Sequence, residues 1–174
     1  MITGMTRKSF FISKILSLIV LSIFATLIYY FSTILIGILH TDGYDMDLMF
    51  DNNYAGLRFF LSCIGTLSIA FLIAIVIRKG TLAILFYFLY TFILELVFRL
   101  IQFQYFPNRM QTYWPQNSIE DLMPFPGHKL TDSFVNHEWN FVSLLPYSHA
   151  AGMTIVYTII FLGLAYYSFM KRDV

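Results

Sequence analysis

Glu95 and Arg99 place the strongest chemical demand on this sequence, because both stand in an otherwise apolar run that begins at Thr81. An ionised side chain inside a bilayer costs about 3 kcal/mol by insertion scales, so such residues need a partner or a task. Their spacing of four puts both on one face of a helix, and Gln102 continues that face one turn on. Two tasks fit this stripe: lining a substrate path, or acting as a buried structural pair that orients the aromatic segment after it. Glu95 and Arg99 are expected to be coupled, so that either single substitution destabilises the protein or cuts activity and exchanging the two restores part of it.

The other chemically capable residues form weaker constellations. His40, His128, His137 and His149 fall in connecting regions or at their edges, and His137-Glu138 opens like a zinc-protease helix. The second histidine of that motif is replaced by Phe141. Asp42, Asp45, Asp47 and Asp51 echo a calcium loop but lack its glycine and terminal glutamate, which leaves a solvated acidic loop. Arg7-Lys8-Ser9 ends like a phosphate-binding loop, yet Arg7 occupies the place of the required glycine, so ATP chemistry by that route is excluded. No metal site, no catalytic residue and no cofactor is expected on this chain, and the reading as a membrane-embedded enzyme is the weakest. Ser62, Thr66, Ala70 and Ala74 recur every four residues and make a narrow face of small side chains, suited to packing within the chain or to a dimer seam.

The elements that position these residues are those of a membrane protein. The chain of 174 residues is 58% hydrophobic and 12% charged, with a mean hydropathy of +0.69, against about 25% charged residues in an ordinary soluble domain. Lys+Arg 11 against Asp+Glu 10, with no polybasic tail, removes any electrostatic basis for binding nucleic acid. Cys63 is the single cysteine, so no intrachain disulfide forms. Ile15 to Leu39, Phe59 to Ile77 and Ala150 to Met170 are free of charge and long enough to span a bilayer, and the run from Thr81 to about residue 101 is a fourth span with a polar end. The first run is too long for a signal-peptide core and is followed by no cleavage site. An all-α integral membrane protein of four transmembrane helices is therefore expected, as a single domain over 1–174.

Orientation follows from the basic residues, which are retained on the cytoplasmic side. Arg7, Lys8, Lys14, Arg78, Lys79, Lys171 and Arg172 all fall on one face, whereas the other holds Arg58, Arg109 and Lys129 among a majority of acidic residues. Both termini are expected in the cytoplasm. The turn Arg78-Lys79-Gly80 makes spans two and three antiparallel neighbours. The outer segment 102–149 contains all five prolines and both tryptophans, so short helices at or re-entering the outer leaflet are expected rather than one long helix. Within it, Asn117 to Leu122 reads as a helix start, with Ser118 as the cap answered by Asp121.

The N-terminal stretch Gly4-Met5-Thr6-Arg7-Lys8-Ser9-Phe10-Phe11-Ile12-Ser13-Lys14, followed by a long apolar span, resembles the cytoplasmic coupling segment of ABC transporter permeases of the type 2 exporter class. There a G-[LM]-[ST]-R-x-x-[FY] element precedes the third of six spans. The short cytoplasmic turn, the proline-interrupted outer segment with its N-x-I-x-D-L stretch (Asn117 to Leu122) and the ending Phe169 to Val174 resemble the same family. The resemblance implies a permease subunit of an ATP-driven exporter in the inner membrane, dimeric and paired with a separate ABC ATPase. It also implies that 1–14 is a coupling segment in which Gly4, Thr6, Arg7, Lys8 and Phe10 touch the ATPase. The polar end of span three, with Glu95, Arg99 and Gln102, would then gate the exit. The match begins at the coupling segment, so the family's first two spans have no counterpart, and a truncated permease is part of this expectation. An accessory or structural membrane protein is the alternative.

Overall fold

The computed structural model describes residues 6–40, 54–106, 109–124 and 144–171. Gly4, the aspartates at 42–51, His128 and the His137-Glu138 pair lie outside the described residues. All regular structure among the described residues is helical. Helix α1 runs Arg7–His40, α2 Tyr54–Ile77, α3 Gly80–Leu89 and α4 Glu95–Tyr105, the last two joined by a π-helical turn at Tyr90–Leu94. A 3₁₀ turn at Arg109–Tyr113 leads into the short α5, Pro115–Glu120, and the long α6 spans Tyr147–Lys171.

Among the described residues, four segments are long and apolar enough to cross a bilayer: α1, α2, the α3–α4 rod from Gly80 to Gln102, and α6. Most of their apolar side chains, such as Phe31, Leu35, Phe92 and Ile159, remain exposed on the isolated chain, as lipid-facing residues must. Helix α1 begins with Thr6 as its cap, the Oγ1 accepting the Ser9 N–H at 3.2 Å. Its 34 residues make a rod of about 51 Å, well beyond a hydrocarbon core of about 30 Å, so the helix overhangs it.

Aromatic contacts set the direction of the helices. Phe11, near the start of α1, lies 5.6 Å from Phe71 near the end of α2 and 5.2 Å from Tyr166 near the end of α6. Further along α1, Tyr29 stacks at 4.3 Å on Phe59 at the start of α2. The start of α1 and the end of α6 therefore share one end of the bundle with the α2–α3 turn. Helix α2 lies at the centre, packed on α1, α3 and α6.

The turn between α2 and α3 is only Arg78 and Lys79. Arg78, rather than the adjacent Gly80, takes the left-handed conformation that ends α2, with φ of 60° and its N–H bonded to the Ala74 carbonyl at 3.2 Å. A side chain there costs about 1 kcal/mol that glycine avoids. Arg78→Gly should accordingly raise stability by about 1 kcal/mol in detergent unfolding, while cysteine-accessibility mapping should show a weaker topological bias, because one retained cation is gone.

Candidate functional site

The polar end of the third span is organised around α5. Its first turn has Trp114 as an extended N-cap residue that offers no capping side chain, and Pro115 at the first helical position, which carries no N–H. The next two N–H groups are the ones a helix start leaves orphaned. Both go to Glu95: Gln116 N–H donates to Oε2 at 3.0 Å and Asn117 N–H to Oε1 at 2.9 Å. The Tyr90 hydroxyl donates to Oε2 at 2.9 Å. Glu95, 2% exposed, is thus a cap supplied from another helix, its charge set against the positive end of the α5 dipole.

The π turn explains how Glu95 and Tyr90 meet. In an α-helix, residues five apart point about 140° from each other. Here the Glu95 N–H bonds to the Tyr90 carbonyl, closing a wider turn that stacks the two residues. Without it, Tyr90 and α5 would not share the carboxylate.

Buried polar side chains tie α5 to its flanks. Asn117 Nδ2 donates to the Thr112 carbonyl at 2.7 Å and to Asp121 Oδ2 at 2.9 Å, and the same Asp121 oxygen accepts the Leu145 N–H at 3.0 Å. Asn117 and Asp121 together therefore join the chain entering α5 to the chain returning to α6. The Ser118 carbonyl accepts Thr154 Oγ1 of α6 at 3.3 Å. Ile119 and Leu122 are 2% and 0% exposed. Ile119 sits against Gly65, where an added Cβ would come within 2.9 Å of its Cγ1 and of Thr154 Cγ2. Gly65 is midway along α2, so α5 reaches about 17 Å below the Tyr54 end of that helix. Its buried face packs on α2 and α6 through Gly65 and Thr154.

Some expectations meet a different outcome here. The helix begins at Pro115, not at Ser118, and Ser118 is a buried mid-helix residue, 0% exposed. The expected cap fails because proline at the first position and a remote carboxylate satisfy the helix start without it. Arg99 shares the face of Glu95, and the charges of Glu95, Asp121 and Glu120 all act on its guanidinium. Both oxygens of Glu95 already accept backbone donors, so its work is more than pairing. Gln102 does something else: its Oε1 accepts Trp114 Nε1–H at 2.6 Å while the indole stacks on Phe98 at 5.8 Å. Trp114→Phe keeps the stack and deletes the bond, and should cost about 1 kcal/mol in thermal unfolding.

Gln102, Trp114, Tyr113, Met153 and Tyr157 line a cleft of about 780 Å³ between α4 and α6. Two of these lining residues are bonded to each other, the Tyr157 hydroxyl donating to the Tyr113 carbonyl at 2.7 Å. Gln102 thus reaches an open space, whereas Glu95 stands behind α5. A family model described as ABC-2 family transporter protein matches residues 5–174.

The chain belongs to the ABC-2 family. It is a multi-pass membrane protein and a permease component of a transporter. No curated protein and no solved structure matches it.

At the opposite end of the ABC-2 chain, Thr6, Arg7, Lys8 and Phe10 form the exposed first turn of α1. That turn is the uninterrupted start of the helix Arg7–His40. Phe10 stacks on Phe169 at 5.9 Å and Lys14 Nζ lies 5.2 Å over the Phe10 ring. Phe11, 3% exposed, is held by Phe71, Tyr166 and Phe169. Of the small-residue face on α2, Ser62, Thr66 and Ala70 are half-buried and Ala74 is exposed. Gly56, Gly65, Ser68 and Ile69 are the buried residues of α2. Among the described residues no group of three or more His, Cys, Asp or Glu side chains is placed to hold a metal ion.

Proposed function

We propose that this ABC-2 chain is the permease subunit of an ATP-driven exporter, working as a homodimer in the inner membrane with a separate ABC ATPase docked on its cytoplasmic face. That face carries Arg7, Lys8, Arg78, Lys79 and Lys171, as retention of basic residues requires. The observation that carries the reading is the aromatic lock on the first turn of α1. Arg7 and Lys8 are exposed for a partner, while Phe10 and Phe11 fasten the same turn to α2 and α6. A partner that moves this turn acts on both helices. Their far halves hold α5 through Gly65 and Thr154, so displacement at the cytoplasmic face has a rigid route to that helix. Glu95 and Arg99 then set the resting position of the gate, and Gln102 faces the cleft beside it.

The experiment is a tagged purification from native membranes in mild detergent, with mass spectrometry of stoichiometric partners. An ABC ATPase is expected in the eluate, and Arg7→Glu with Lys8→Glu should reduce its recovery at least tenfold, because repulsion replaces a charged docking contact. A folded, abundant wild-type chain that recovers no ATPase would reject the reading in favour of an accessory membrane protein.

A further inference from the structure

The third span is not held evenly along its length. Helix α3 packs on α2, while α4 has its principal contacts with the π turn before it and the 3₁₀ turn after it. The helical ladder is displaced where the two halves meet. The Tyr90 N–H is shared between the Phe86 and Tyr87 carbonyls, and the Glu95 N–H reaches back five residues to the Tyr90 carbonyl. Thr91 Oγ1 is buried without a hydrogen-bond partner among the described residues. In α1 the hydroxyls of Ser17, Ser22, Thr26 and Thr33 each donate to the carbonyl four residues back. A break of this kind in the ladder is where helices bend.

The contacts that hold α4 act at different distances from this break. Glu95 stands at the break itself, so its bonds to Gln116, Asn117 and Tyr90 lie close to the axis and survive a small bend. Further along, Gln102 Oε1 accepts Trp114 Nε1–H at 2.6 Å and Phe98 stacks on the same indole. These contacts act on the lever arm and resist its movement. At 1.5 Å per residue, Gln102 is about 10 Å and Tyr105 about 15 Å beyond Glu95. A bend of about 20° moves the backbone there by about 4 and 5 Å, more than a hydrogen bond tolerates. One indole therefore decides whether α4 stays in place.

We propose that α4 is a lid hinged at the Tyr90–Leu94 turn and latched by Trp114, and that its swing sets the width of the cleft between α4 and α6. Gln102 and Trp114 are themselves part of the wall of that cleft, facing Met153 and Tyr157 of α6. Unlatching and a change of width are thus one event. The bearing of the lid on export rests on the permease reading, whereas the hinge does not.

The test uses the full chain in detergent with Cys63→Ser as background, and reads distances between spin labels by double electron–electron resonance. One pair, Tyr105→Cys with Ile159→Cys, joins the end of α4 to α6, and the other, Leu85→Cys with Ile159→Cys, joins α3 to α6. All three native side chains are exposed. With Trp114 intact, each pair should give one distance. Trp114→Ala removes both latch contacts and should add a second population for the Tyr105 pair, displaced by about 4 Å or more, while the Leu85 pair stays fixed. A π turn carries one residue more than the α turn it replaces, so deletion of Phe92, which is 66% exposed, restores a regular ladder and keeps Glu95, Arg99 and Gln102 on their face. In that background Trp114→Ala should give a single distance again. A single unshifted distance for the Tyr105 pair in Trp114→Ala would overturn the proposal. Equal shifts in both pairs would do the same, by taking the hinge out of the π turn, as would a second population that persists without Phe92. If Trp114→Ala fails to fold, Gln102→Leu breaks the latch from the α4 side and should broaden the distance of the Tyr105 pair alone, and an unchanged distribution there counts against the lid. The distances are read without ATP or a partner, so failure of the lid and failure of the permease reading are told apart.

Discussion

Replacing Glu95 by alanine is expected to cost about 3 to 5 kcal/mol, the sum of three donors left without an acceptor in a region from which water is excluded. The donors are the N–H groups of Gln116 and Asn117 and the hydroxyl of Tyr90. Glu95→Gln keeps one carbonyl oxygen but turns an amide N–H₂ toward the remaining donors, and should cost about 1 to 2 kcal/mol. The informative variant is the exchange Glu95→Arg with Arg99→Glu. If the two residues served only as an ion pair, the exchange would restore stability. The observed geometry predicts no rescue, since an arginine at 95 points five donors at N–H groups that need an acceptor. Thermal unfolding in detergent gives the ranking, and limited proteolysis of the segment between α4 and α6 reports whether α5 has left its seat. Transport should fall in the same order, because the variants act on the element proposed to gate the exit.

The four spans were legible because each is written locally: a charge-free run of sufficient length needs no knowledge of its neighbours. The same holds for the prolines that keep 109–124 in short pieces. The site was legible only in outline. Glu95, Arg99 and Gln102 stand out as polar residues in an apolar run, yet the α5 and Trp114 donors to Glu95 and Gln102 lie 12 to 22 positions away in sequence, and no spacing rule reaches that far. The start of α5 was misplaced for this reason. A local cap at Ser118 fits the sequence rules, whereas the actual cap comes from a different helix and leaves Pro115 as the one local sign. A periodicity of small residues on α2 likewise does not point to the residue that α5 needs. A period of four selects Ser62, Thr66, Ala70 and Ala74, but contact with α5 and α6 requires a residue with no side chain at one depth, and that is Gly65. Arg78 shows the limit from the other side: Gly80 is the residue that propensity would place in a left-handed turn, and the antiparallel return of α3 puts Arg78 there instead.

Gly65→Ala is the prediction in which two opposing effects are decided by magnitude. Within a helix, glycine to alanine gains about 1 kcal/mol of backbone preference. At Gly65 the new Cβ meets Ile119 Cγ1 and Thr154 Cγ2 at 2.9 Å and Ile119 Cδ1 at 3.0 Å. Ile119 and Thr154 are themselves 2% and 0% exposed, so neither has room to withdraw, and such overpacking costs about 1 to 3 kcal/mol. The clash should win, giving a net loss of about 1 to 2 kcal/mol in thermal unfolding. Gly163, in α6, has no atom within 4 Å of the same construction, so Gly163→Ala should show the propensity gain alone, about 1 kcal/mol of stabilisation. The double variant Gly65→Ala with Ile119→Val removes one of the clashing methyl groups and should recover at least half of the loss. That recovery would assign the cost to the seat of α5 and not to α2 itself. Because α5 is also held at its first turn by Glu95, Gly65→Ala tilts the element about a fixed end instead of releasing it. Proteolysis of the segment should therefore rise less than in Glu95→Ala at equal loss of stability, which separates the two contacts that hold α5.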